Sequence, residues 1–409
     1  CSSPAAPPEE EAKPDETVGT TPKFKEVTFA TAVDATSLDP RNALGTDTAQ
    51  ILAHVFNSLV KTDENAVVSN DLIESYEIVD DVTWKFKLKD GITFHDGSQL
   101  TSADVEYTVS TIKDKEKNFS LAADFSFMTV KVIDDLNFEI ITDEPFPGLL
   151  LRLNYMKIIP KAYVEKVGDE AFAQNPIGSG PYRFVERRKD ERIVMEAYDN
   201  YFDGKPAIDR VTFRIIPEAA SRIAALEAGE VDIISAVDSS QVGRLEAMDN
   251  IKVVSKATTR VIYIGMNLLQ DGPLQDVRVR QALNYAVDKD ILINGVLDGH
   301  ATQIATISTP EYECYDPSIL PYEYNPEKAK QLLAEAGYSN GFKTELVVSQ
   351  RYIKGLDVCQ VIAAQLAEVG IECVVSEIDH STRRDKLSAG TIEPLYMAGL
   401  GGPYADIDM

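Results

Sequence analysis

The groups in this chain with the most chemical reach are four histidines, four cysteines and 66 carboxylates set among 409 residues. A serine hydrolase would place its nucleophile in a G-x-S-x-G turn, and a zinc protease would carry H-E-x-x-H. A redox or zinc centre would show C-x-x-C, and a nucleotide site a glycine loop ending in Lys-Ser/Thr. None of these spacings occurs. His54, His95, His300 and His380 are widely scattered, as structural or surface residues are and a metal set is not, so no metal or cofactor is expected. Cys314, Cys359 and Cys373 have no ligand spacing either. A helix over 354–369 and a strand after Gly370 would hold Cys359 and Cys373 too far apart for a disulfide, since layers are about 10 Å apart and bonded Cα atoms lie within about 7 Å. The partner of Cys314, if any, is open.

Three further stretches imitate sites. The segment NPIGSGPY from Asn175 to Tyr182 has the glycines of a phosphate loop, but it lacks the lysine and runs into a strand. Asp199 to Gly204 has the acids of a calcium loop, but Tyr201 stands where an oxygen ligand is required. Asp134-Asp135 reads as a turn and not as a catalytic pair. Arg278 and Arg280 could hook an anion, yet on an amphipathic helix capped by Asp276 they read better as structural ion-pair formers. Trp84, His95 and Asp104 are assigned to core, turn and helix start.

The formal charge of −26, from 66 acids and 40 bases, argues against nucleic acid, whose phosphates such a surface repels. No run of about eighteen apolar residues is present to span a membrane. Residues 1–24 hold five acids, two bases and almost nothing large and apolar. Such a segment cannot offset its ordering entropy and reads as a flexible tether. A cysteine at its head, Cys1, fits a bacterial lipoprotein with lipid on that thiol.

The elements that must position any site are legible by period. Trp84, Phe86 and Leu88 alternate with Lys85, Lys87 and Lys89 as a half-buried strand does. Asp90-Gly91 turns, and Ile92 and Phe94 continue the alternation as the second arm of a hairpin. Thr101 and Asp104 then open a helix striped by Val105, Val109 and Ile112. Hairpins are expected over 129–141 and 182–196, and a strand, helix, strand succession over 211–234. Helices are expected from Asp276 and after Asn325-Pro326, and a βαβ unit over 343–378. The fold class is α/β.

Several blocks together resemble the extracytoplasmic solute-binding proteins of peptide/nickel-type ABC transporters, the dipeptide and oligopeptide lipoprotein family. They are Trp84 to Ile112, Ser37-Leu38-Asp39-Pro40, the Asn175 to Tyr182 crossover, Tyr198 to Pro206, LEAGEVD at Leu226 to Asp232 and DVRVRQALNYAVDK at Asp276 to Lys289. The resemblance implies a periplasmic-binding-protein-like fold of two α/β lobes with an extra inserted domain. Residues 25–48 and 174–267 would form the first lobe, 49–173 the inserted domain and 268–409 an incomplete second lobe, since relatives continue past Met409.

It also implies a peptide held between the lobes and delivered to ABC permease subunits, without catalysis. Asp406 would pair with the peptide amine, although the tryptophan usual before it is replaced around Leu400. Arg351, between a strand and a helix N-terminus, would take the carboxylate. Leu44, Gly45 and Thr46 would line the cavity, with Tyr263 in its wall. A monomer held at the outer face of a bacterial membrane by Cys1 is expected. An oligosaccharide or another small solute, a sensor or adhesin derived from the fold, and an acidic-pair hydrolase are the alternatives.

Overall fold

The computed structural model describes residues 24–42, 45–63, 67–310, 315–349, 352 and 354–400. The chain enters through β1 (Glu26–Thr31) and, after a loop and the helix Thr46–Leu52, forms β2 (Val60–Thr62), β3 (Val68–Asn70), β4 (Ile73–Ile78) and β5 (Thr83–Leu88). The helix Ser102–Ile112 leads to β6 (Met128–Val132) and β7 (Asn137–Thr142). Short helices return it to β8 (Tyr182–Arg188), β9 (Arg192–Ala197), β10 (Arg210–Ile215) and β11 (Ile233–Ile234). Beyond the helix Ser239–Glu246 come β12 (Val261–Met266), β13 (Phe342–Ser349), β14 (Ile371–Ile378) and β15 (Leu395–Leu400), with helices between them.

Among the described residues these strands make three larger sheets and the β2-β3 pair. The first has the order β11-β1-β10-β9-β8, with β1 parallel to both β10 and β11. Its central pairing joins Glu26 to Arg210 and Thr31 to Ile215, so almost the whole intervening chain leaves this sheet and comes back. The second, β4-β5-β7-β6, is antiparallel and lies within that excursion. The third has the order β12-β15-β13-β14, with β13 parallel to β14 and β15.

The alternation that predicts β5 has its physical counterpart in burial. Trp84, Phe86 and Leu88 are buried while Lys85 and Lys87 are exposed. Phe86 stacks on Phe138 at 5.4 Å, and Val105, Val109 and Ile112 cover the same face. The expected hairpin of Trp84–Leu88 with Ile92–Phe94 does not form. Both edges of β5 are taken by β4 and β7, and the Ile92 segment keeps a single bridge, Thr93 to Gln99. Ile92 and Phe94 still bury their side chains in that core. Asp104 opens the helix as expected: its carboxylate accepts the Thr101 N–H at 2.8 Å and also the Lys161 N–H at 2.9 Å.

Ile51, Leu52, Val55 and Phe56, together with Ile159 and Phe172, pack against Tyr182, Ile193, Met195 and Phe213 of the first sheet. The glycine-rich crossover threads between this layer and the β5 unit. A Cβ on Gly178 would stand 2.1 Å from the Val55 carbonyl oxygen, and one on Gly180 2.5 Å from the Val55 carbonyl carbon. Glycine is therefore needed for close backbone approach and not for phosphate. The Gly180 N–H donates to Val55 O at 2.8 Å, and the Tyr182 N–H to His54 O at 2.9 Å.

Candidate functional site

Open α/β sheets bind ligands outside the carboxyl ends of their parallel strands, where loops and helix N-termini converge. In the third sheet those ends are Ser349, Ile378 and Leu400, and the helices Gly355–Glu368 and His380–Ser388 start beside the first two. Antiparallel pairing sets Val261 of β12 opposite Leu400 and Tyr263 opposite Ala398, so the start of β12 joins the same edge.

Aromatic and cationic groups gather here. The Arg260 guanidinium lies 5.8 Å from the centre of the Tyr352 ring, and that of Arg383 lies 5.9 Å from it. Tyr263 is half-buried. Burial pushes its hydroxyl pKa up, with Tyr396 and Tyr352 adding to the rise and Arg383 opposing it. Tyr396 crosses the sheet over Gly265, where a Cβ would lie 2.3 Å from the ring. Gly399 likewise leaves room for Arg260, whose Nε would be 3.1 Å from a Cβ there. The Ser349 hydroxyl, at the end of β13, is buried without a hydrogen-bond partner among the described residues.

The corresponding edge of the first sheet is held by Arg222, which is 3 % exposed. Its guanidinium donates to the carbonyls of Ile216 and Pro217 after β10 and of Ser235 and Ala236 after β11. It fixes where both chains leave the sheet. Asp298 spans the region between the two edges. Its Oδ2 accepts from Ser239 Oγ and from Lys354 Nζ, each at 2.8 Å. Ser239 follows β11, and Lys354 stands at the N-terminus of Gly355–Glu368 in a left-handed conformation, φ 51°.

Of the residues expected at the site, Tyr263 lies in this cluster. Gly45 precedes the helix Thr46–Leu52 with φ 96°, a conformation that favours glycine, and Thr46 opens that helix. Leu44, Arg351 and Asp406 lie outside the described residues, as do Cys1 and Cys314. Arg260, Tyr352, Arg383 and Tyr396 were not singled out by sequence reasoning. The signal that could have found them is their place at predicted strand ends, which needs the strand order and the otherwise unread β15.

The remaining candidates have structural employment. Asp276 caps its helix through the Arg278 N–H and pairs with the Arg278 guanidinium, which holds its carboxyl down at about 2. Arg280 donates to the carbonyls of Leu274 and Gln275. Asp134 accepts the Leu136 and Asn137 N–H groups of a turn. His54 is tied to the Gln50 carbonyl at 2.9 Å. His95 Nε2 donates to the Gly180 carbonyl at 2.9 Å while its Nδ1 accepts the Gly178 N–H at 3.3 Å. Burial lowers this imidazole to about 4, as the neutral tautomer requires. Cys359 and Cys373 are free thiols, raised by burial to about 12 and about 11.

Two α/β sheets whose carboxyl edges approach each other, joined to an antiparallel unit, define the two-lobe extracytoplasmic binding-protein class. Residues 67–409 match the family described as bacterial extracellular solute-binding proteins, family 5 Middle, and the chain belongs to that family. Its members are transport proteins of ABC importers and not enzymes. The chain is 32 % identical over 365 residues to the glutathione-binding protein GsiB of Pectobacterium atrosepticum, covering 88 % of this chain and 70 % of that one. The structure of DppA from Helicobacter pylori in complex with the peptide STSA superposes with a TM-score of 0.80 at 25 % identity, over 94 % of this chain and 79 % of that one. AppA from Bacillus subtilis in complex with a nonapeptide gives 0.78 at 27 % identity, over 94 % and 81 %.

Proposed function

We propose that this solute-binding protein captures peptides between the β1 and β13 sheets and delivers them to an ABC permease. The observation that carries the reading is the Arg260, Tyr263, Tyr352, Arg383 and Tyr396 cluster at the carboxyl edge of the third sheet. Flat rings accommodate varied side chains and guanidinium groups take carboxylates. The relatives support it, since GsiB is named for glutathione, itself a tripeptide, and DppA and AppA hold peptides.

In this reading Asp406 pairs with the peptide amine and Arg351 assists with the carboxylate. Leu44, Gly45 and Thr46 close the cavity from the first lobe, residues 25–48 and 174–267, and Tyr263 stands in its wall on β12, whose pairing with β15 carries the end of that span into the third sheet. Residues 49–173 serve as the inserted domain. A ligand that touches both lobes favours the closed state by its differential affinity, and no covalent step is involved. The protein works as a monomer tethered outside the cytoplasm by lipid on Cys1. Mass spectrometry of ligand co-purified with the protein, followed by calorimetry with defined tripeptides, tests the substrate. Peptide recovered unchanged and stoichiometric is the expected result, and an oligosaccharide or a metal chelate recovered without peptide refutes it.

A further inference from the structure

With 66 carboxylates against 40 basic side chains, a buried guanidinium in this chain has many acids within reach. Arg41, 1 % exposed, is paired with Asp39 at 2.7 Å and Asp169 at 2.8 Å. Arg222 has four carbonyls. Arg383 is provided for differently. It is 7 % exposed, on the helix that starts beside the end of β14, and its Nε donates to the Met397 carbonyl of β15 at 3.1 Å. Its two Nη groups have no acceptor, and no carboxylate pairs with it, among the described residues. Arg260, the residue before β12, approaches the same Tyr352 ring, and it too has no acid partner among the described residues. Two cations thus converge on one ring at 5.8 and 5.9 Å, at the edge where a ligand would sit.

Like charges brought together are unfavourable, and a buried one without a counter-ion is strongly so. Among the described residues neither member of this pair meets a carboxylate, although Arg383 is buried and the protein is rich in acids. The planar fork of arginine matches a carboxylate with two parallel N–H···O bonds, and a ring beneath it keeps the fork flat. We propose that Arg383, with Arg260 beside it, binds a carboxylate of the solute, so that the transported class is restricted to solutes bearing a free carboxylate. This rests on the cleft reading above and narrows it: for a peptide the group is the C-terminal carboxylate or an acidic side chain. Tyr352 is the platform, with Arg383 buried on one side of the site and Arg260 open to water on the other.

The test uses the full chain and two calorimetric panels. One contains tripeptides, among them glutathione, as free acids and as the corresponding amides; the other contains non-peptide carboxylic acids and their amides. Loss of a charge-assisted hydrogen bond is expected to weaken amides tenfold or more relative to acids. Arg383→Gln should erase that preference, Arg383→Lys should retain part of it, and the exposed Arg260→Gln should reduce it. Near-ultraviolet circular dichroism confirms that each variant is folded, and Arg260→Gln keeps the test alive if Arg383→Gln is not. If only non-peptide acids bind, with the preference abolished in the variants, the peptide reading fails and the carboxylate subsite stands. Equal binding of acids and amides, a preference that survives both glutamine variants, or no binding from either panel overturns the subsite.

Discussion

Replacing His95 by alanine should unclamp the glycine-rich crossover, and pH separates this loss from a general one. The ring donates from Nε2 to Gly180 O and accepts the Gly178 N–H at Nδ1, and both glycines are buried. Its edge also packs on Tyr198 at 5.0 Å. Two buried backbone groups left unsatisfied cost about 1–3 kcal/mol each and such losses overlap, so about 3 kcal/mol is expected at pH 8. The imidazole titrates near 4 in the folded protein and near 6.5 when unfolded. The unfolded chain therefore takes up the proton first. The stabilisation is complete above pH 6.5 and is lost as pH falls towards 4, by about 2 kcal/mol at pH 5. Solvent screening at the half-buried ring makes this an upper value. The gap between native protein and His95→Ala should thus shrink from about 3 to about 1 kcal/mol between pH 8 and pH 5. His54, also lowered by burial, titrates in both proteins and cancels in the difference. Urea unfolding followed by fluorescence is the assay, because Trp84 is the one tryptophan and shares a core with Ile92 and Phe94 beside His95. A gap that stays constant, or widens as pH falls, refutes the clamp.

Gly178→Ala should destabilise by about 3 kcal/mol because the new methyl meets backbone, which cannot rotate away as a side chain can. Gly97→Ala, with φ 84° and open space around it, should cost about 1–2 kcal/mol from its left-handed conformation alone; the same fluorescence melt ranks them, and equal losses would contradict the packing argument. Asp298→Ala removes the shared acceptor of Ser239 and Lys354. It should speed hydrogen exchange at the start of the helix Gly355–Glu368 while leaving the unfolding midpoint nearly unchanged, and protection equal to the native protein would show that the bridge holds nothing.

The sequence by itself determined most of the elements, because period and punctuation are local. Trp84, Phe86 and Leu88 could only be one face of a strand, Asn325-Pro326 could only start a helix, and the 343–378 unit forms the parallel β13-β14 pair its pattern implies. The family was legible for the same reason, in motifs that encode turns, caps and close approaches. Pairing order was not. The alternation at Ile92 and Phe94 looks the same whether the segment is the second arm of a hairpin or a loop buried beside a sheet whose edges are taken. Nor does any local signal insert β15 between β12 and β13. That insertion sets Tyr396 across Gly265 and brings Met397 to Arg383. The residues that could hold a carboxylate lie far apart along the chain, on one strand, one loop and one helix. Whether a guanidinium there is paired depends on which acids the tertiary structure brings near, which residue type alone does not encode.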